Sequence, residues 1–136
     1  MARLLFYSTL IVLLTGCADS QFLEWLGLQK KHDNKIPVAQ AGENIQITLP
    51  EDSVYLDGTL SVDPDGTLIS FLWEKISGPD GAEIEAAGEP ATMIRNLSAG
   101  LYIFQLTVTD NQNSIASDQI QIVVNEDVRA PEITGI

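Results

Sequence analysis

The stretch LYIFQLTVT, residues 101–109, decides the fold. Tyr102, Phe104, Leu106 and Val108 recur at every second position, so an extended chain turns all four to one side. That period, carried by aromatic and β-branched residues, predicts a strand buried on one face. The stretch LISFLWEKI, residues 68–76, alternates likewise and gives an inward set of Ile69, Phe71 and Trp73. These two strands are expected to form the middle of a core built on Phe71, Trp73, Tyr102 and Phe104. Ile45, Ile47 and Leu49, then Val54 and Leu56, then Ile120, Ile122 and Val124 extend the inward face.

Working outward, the expected strands are 37–40, 45–49, 53–57, 68–76, 82–85, 91–95, 101–109 and 115–124. The gaps hold Gly42, Pro50, Gly58, Pro64, Asp65, Gly66, Gly78, Pro79, Gly88, Gly100 and Asn111, residues whose φ preferences suit turns. No segment carries a convincing helical period, so the fold class is all-β, a sandwich of short strands. Two landmarks make it immunoglobulin-like. A large Trp73 lies on the third main strand, and Tyr102 opens the penultimate one after the pattern Leu-x-x-Gly-x-Tyr, Leu97 to Tyr102, which resembles a tyrosine corner. The usual inter-sheet disulfide is missing, so packing alone must join the sheets.

The order and spacing of several stretches resemble the PKD repeat family: PVAQAG (37–42), VYLDG (54–58), SVDPDGT (61–67), FLW (71–73), SGP (77–79) and LTVTD (106–110). The resemblance spans residues 36–124, essentially the whole expected domain. It is greatest to the PKD-like variant in which Trp is followed by x-Lys-x-Ser-Gly-Pro, here Trp73 to Pro79. The Phe-Gly-Asp-Gly of the commoner form is absent from Glu74–Ser77. Membership would imply an extracellular or envelope module used in adhesion, spacing or auxiliary binding.

Composition narrows the function. With 136 residues, the chain has room for one domain. Nineteen acidic against seven basic residues give a net charge of -12, which disfavours a nucleic-acid partner. A single cysteine, Cys17, and a single histidine, His32, leave no thiolate and imidazole zinc cluster and no Ser-His-Asp or Cys-His set. The expectation is a non-enzyme.

The N-terminus reads as an address. Arg3 precedes a run from Leu4 to Leu14 that is apolar except at Tyr7, Ser8 and Thr9, the layout of a secretory signal and too short to span a bilayer. Leu14-Thr15-Gly16-Cys17 resembles the lipobox of bacterial lipoproteins: a bulky apolar residue, two small ones, then cysteine. Small side chains let the backbone enter a narrow protease cleft. The resemblance implies cleavage after residue 16 and a diacylglyceryl group on Cys17, whose two chains make a stable membrane anchor. Ala18 rather than Asp follows the cysteine, which in that family points to the outer membrane of the cell envelope.

Residues 17–35 then form an anchor and tether. Its Phe22, Leu23, Trp25, Leu26 and Leu28 read either as a short interfacial turn or as a spacer, and Gly27 favours the spacer. Residues 125–136 are a tail resembling the linker and first strand of a following sandwich.

Antiparallel order brings the end of strand 53–57, the loop 58–67 and the loop 110–114 to one pole. Asp57, Asp63, Asp65 and Asp110 are then candidate ligands for Ca²⁺, which takes oxygen clusters and which some PKD-family members bind near this pole. Alternatively, Asp63 and Asp65 cap an Asp-Pro-Asp-Gly turn through nearby amides. Tyr55, Leu72 and Leu101 turn outward as surface candidates. Glu83, Glu85 and Glu89 sit in a short edge segment with no sign of a cleft. Two functions fit: an adhesion module binding an envelope or extracellular protein or polysaccharide, and a structural spacer or truncated remnant serving an envelope assembly.

Overall fold

The computed structural model describes residues 26–27 and 33–129. Residues 33–129 hold seven strands and no helix: β1 (Ile45–Thr48), β2 (Val54–Asp57), β3 (Leu68–Ser77), β4 (Glu83–Ile84), β5 (Ala91–Arg95), β6 (Gly100–Asp110) and β7 (Ile115–Asn125). They form two sheets. One has the order β1-β7-β6-β3 and the other β2-β5-β4. The all-β sandwich expected from the sequence is therefore what the chain adopts.

The long β6 lies inside the larger sheet, antiparallel to both β3 and β7, while β1 joins β7 in parallel. Tyr102, Phe104, Leu106 and Val108 are all buried and face Ile94 and Leu56 from the smaller sheet in one core. Trp73 seats deep in it, and Phe71 packs against it half-buried. Removing these faces from water is the main stabilising term, at ~25 cal/mol for each Å² of apolar surface.

Gly58 shows how tightly β2 turns off its sheet. A Cβ there would stand 2.5 Å from Leu106 Cδ2 and 2.9 Å from the Pro90 carbonyl, to which the Gly58 N–H donates at 2.9 Å.

Three expectations need correction. Ile69 is 61% exposed, because the β3–β6 register slips between Leu68 and Ser70. A bulge of this kind turns one residue out of the alternation, and Leu68 packs against the core in its place. The expected strand 37–40 reduces to one antiparallel bridge, Val38 to Val62. Pro37 is buried but has no N–H to continue a ladder. The expected strand 82–85 shortens to the two residues of β4.

The folded region also takes in Asn34 and Lys35, which bond to its loops. The signal motif Leu14, Thr15, Gly16 and Cys17, most of the tether, and residues 130–136 of the tail lie outside the described residues.

Candidate functional site

The sandwich has two poles, built in different ways. At the start of β6, Tyr102 folds back over the turn before it. Its hydroxyl donates to the Ser98 carbonyl at 3.1 Å and accepts from the Ser98 N–H at 3.0 Å. This is the tyrosine corner that the Leu97 to Tyr102 pattern predicts. Gly78, at φ 127, lies flat against the ring, and a Cβ there would come within 2.5 Å of Tyr102 Cδ1. The Gly-Pro after Trp73 is thus the seat of the corner.

The opposite pole gathers the end of β6, the start of β7, the loop after β2, and the chain entering the domain. Asp110 is fully buried there. Its Oδ1 accepts the N–H groups of Gln112 and Ser114, both at 2.8 Å, and its Oδ2 accepts Asn34 Nδ2 at 2.6 Å. Burial by itself raises the carboxyl pKa, but the bonds from Asn34, Ser114 and Gln112 outweigh it and hold Asp110 below the ordinary value of 3.8. Asn34 Nδ2 also reaches Ser114 Oγ at 2.6 Å, and the Lys35 N–H sits 3.2 Å from both Asp65 oxygens. Carboxylates therefore staple the incoming chain to two loops. Asn111 closes the set by donating its N–H to the Thr67 carbonyl at 3.0 Å.

Asp57, Asp63, Asp65 and Asp110, the candidate Ca²⁺ ligands, are not brought together as one cluster among the described residues. Asp57 spends its Oδ1 on the Thr59 N–H and hydroxyl, at 2.9 and 2.6 Å, and this holds its pKa below 3.8. Asp63 bonds the Asp65 N–H at 3.3 Å, the local turn capping that was the alternative reading. Among the described residues no three Asp, Glu, His or Cys side chains stand together as a metal site. Two buried oxygens of the pole, Asn34 Oδ1 and Asp63 Oδ2, have no hydrogen-bond partner. A single free carboxylate oxygen and an amide oxygen do not make a Ca²⁺ cage.

Tyr55, Leu72 and Leu101 are exposed, as alternation predicts. Tyr55 belongs to the smaller sheet, and Leu72 and Leu101 to the larger. Glu85 is an ion-pair partner of Arg95.

A feature that the sequence reading passed over lies beside the smaller sheet. The segments 36–40 and 60–62 form a short ribbon, tied by Val38 N–H to Val62 O at 2.8 Å and Val62 N–H to Val38 O at 3.0 Å. Ser61 faces inward, buried, accepting the Gln40 N–H at 2.9 Å. Ile36, Val38, Leu60 and Val62 face outward. Next to them a shallow hollow of about 700 Å³ is lined by Val38, Gln40, Glu43, Asp57, Leu60 and Asp118. No residue type marks it in the sequence, because Ile36, Val38, Leu60 and Val62 read as core residues.

A family model described as "K319L-like, PKD domain" matches residues 41–124. The mouse Dyslexia-associated protein KIAA0319-like protein is 38% identical over 104 residues, which are 76% of this chain and 10% of that protein. The solution structure of the PKD domain from the KIAA 1837 protein superposes with a TM-score of 0.64 at 38% identity, over 71% of this chain and 94% of that one. The PKD domain of human KIAA0319 gives 0.59 at 25% identity, over 88% of this chain and all of that one. The chain spans about a tenth of the length of the first curated relatives.

Proposed function

The chain belongs to the K319L-like PKD domain family, and on that premise we propose that it is a non-enzymatic interaction module. In this reading it is carried on a lipid anchor at Cys17 in a bacterial envelope, and its sandwich binds a protein or a polysaccharide. The observation that supports binding is the contiguous apolar patch that Ile36, Val38, Leu60 and Val62 present to solvent around the Val38–Val62 bridge, beside the acidic hollow.

The anchor rests on sequence. Leu14-Thr15-Gly16-Cys17 closes an apolar run of secretory type, and Ala18 favours the outer over the inner membrane. The mouse and human relatives lend this bacterial placement nothing. Palmitate labelling tests it: the wild-type chain takes up label and sediments with membranes, and Cys17→Ala does neither. A labelled, sedimenting variant would sink the anchor. Binding is tested by a glycan array together with pull-downs from envelope extracts. Absence of any partner for the folded chain would end the interaction reading.

A second reading, a structural spacer, has its own support. The chain enters at Asn34, beside the β6–β7 turn, and β7 leaves at Asn125, past the Gly100 to Val124 pair at the far end of β6. Entry and exit are thus separated by the length of an eleven-residue strand, about 35 Å. Pull-downs with and without residues 125–136 separate the two readings. Loss of every partner on removing the tail favours the spacer, and retention favours the module.

A further inference from the structure

We propose that the outer face of the 36–40/60–62 ribbon and the hollow beside it form a docking surface for a basic, apolar-containing segment of another protein. This rests on the reading of the chain as an interaction module and names the chemistry of one partner.

The apolar half of the surface follows from alternation. Pro37 and Ser61 are buried, so Ile36, Val38, Leu60 and Val62 project together to the solvent side, 66%, 47%, 70% and 53% exposed. The bridge between Val38 and Val62 holds the two segments in register and makes the four side chains one patch. Contiguous patches of this kind mark interaction sites, whereas single exposed apolar residues do not.

The charged half selects the occupant. Glu43, Asp57 and Asp118 line the hollow into which Val38 and Leu60 also project. Asp118 gives one oxygen to the Ala41 N–H at 2.8 Å, and Asp57 gives one to Thr59. Among the described residues none of the three is paired with a cation, and the ion pairs are Arg95 with Glu85 and Arg129 with Asp127. An apolar patch edged by three uncompensated carboxylates complements a segment that alternates Lys or Arg with aliphatic residues. A second copy of this chain would bring the same carboxylates and a net charge of -12 to the contact. An anionic membrane surface is repelled for the same reason.

The test measures fluorescence anisotropy of a labelled twelve-residue peptide alternating Leu and Lys, titrated with the full chain. A peptide with Glu in place of Lys is the control. The double variant Leu60→Ser/Glu43→Lys changes two exposed side chains that make no structural bond, so it folds. Its affinity for the Lys peptide is expected to fall about tenfold or more. Leu72→Ser, on the other sheet, leaves affinity unchanged, the Glu peptide does not bind, and added salt weakens the complex. No loss in the double variant, or an equal loss in Leu72→Ser, overturns the proposal. If pull-downs still recover a partner from the double variant while the Lys peptide ignores the ribbon, this surface falls and the interaction module stands. If neither peptide nor partner binds anywhere, both fall.

Discussion

The two poles of the sandwich solve the same problem with different chemistry. At the start of β6 the chain is fixed by a buried ring: Tyr102 hydrogen-bonds to Ser98 and lies flat on Gly78. At the other end of the same strand the chain is fixed by a carboxylate: Asp110 gathers two backbone N–H groups and the side chain of Asn34. The first pole depends on volume and on hydrogen bonds to an uncharged hydroxyl. The second depends on ionisation and ties down a segment 76 residues away in sequence. Packing fixes the fold's identity, and hydrogen bonds to carboxylates fix how the chain enters it.

The strongest blow to that contrast falls at the packed pole. Tyr102→Ala empties a fully buried site between the corner and Phe104, and large-to-small changes of aromatic residues cost roughly 3–5 kcal/mol. Chemical denaturation is expected to show a stability loss of that order. Gly78→Val is expected to act in the same direction, because its Cβ would stand 2.5 Å from Tyr102 Cδ1 and its φ of 127° disfavours any side chain. A loss within experimental error in both would mean that the corner is ornamental.

Tyr102→Phe isolates the polar part of the corner. The ring stays, while the Ser98 N–H and carbonyl lose their partner, which costs about 1–3 kcal/mol. That loss is expected to be constant between pH 7 and about pH 3, since no titrating group of the acidic pole takes part.

Asp110→Asn tests the other pole and is expected to behave oppositely. The folded carboxyl has its pKa depressed below 3.8, so the ionised form stabilises the fold above that value. The contribution disappears as pH falls through the lower folded value. Melting curves of wild type and variant should lie apart at pH 7 and converge in acid, once the pH has fallen through the depressed pKa. A gap independent of pH would show that Asp110 acts by shape, as Tyr102 does, and would erase the difference between the poles.

The packed pole was legible in the sequence because its parts are local. The alternation in 101–109 placed the β6 core, and Leu97, Gly100 and Tyr102 announced the corner within six residues. Ile69 was misplaced because alternation assumes an unbroken register, and the bulge after Leu68 leaves no mark in side-chain type. The acidic pole was read only to the level of which loops meet. That Asp110 would be buried and satisfied by Asn34 depends on a long-range contact that neither residue type nor spacing encodes. The ribbon was missed for another reason. Ile36, Val38, Leu60 and Val62 look like core residues by type, and only the burial of Pro37 and Ser61 turns them outward.

The smallest effect is expected from calcium, and it bears on what the acidic pole is for. If the pole were a metal site, millimolar Ca²⁺ would raise the melting temperature of the folded chain by mass action, as any ligand of the native state does. The hydrogen bonds argue against it. Asp110 uses both oxygens, Asp65 faces the Lys35 N–H, and Asp57 is held by Thr59. Asp63 Oδ2 and the amide oxygen of Asn34 are the buried oxygens of the pole left without a hydrogen-bond partner. Ca²⁺ takes about six to eight oxygen ligands, and among the described residues no three acidic side chains stand together to supply them. No shift in melting temperature and no heat of binding are therefore expected. A clear shift, abolished by Asp63→Asn and not by Asp57→Asn, would mean that the entering chain is stapled by an ion as well as by Asp110, and the two poles would then differ in kind more than hydrogen bonds alone imply.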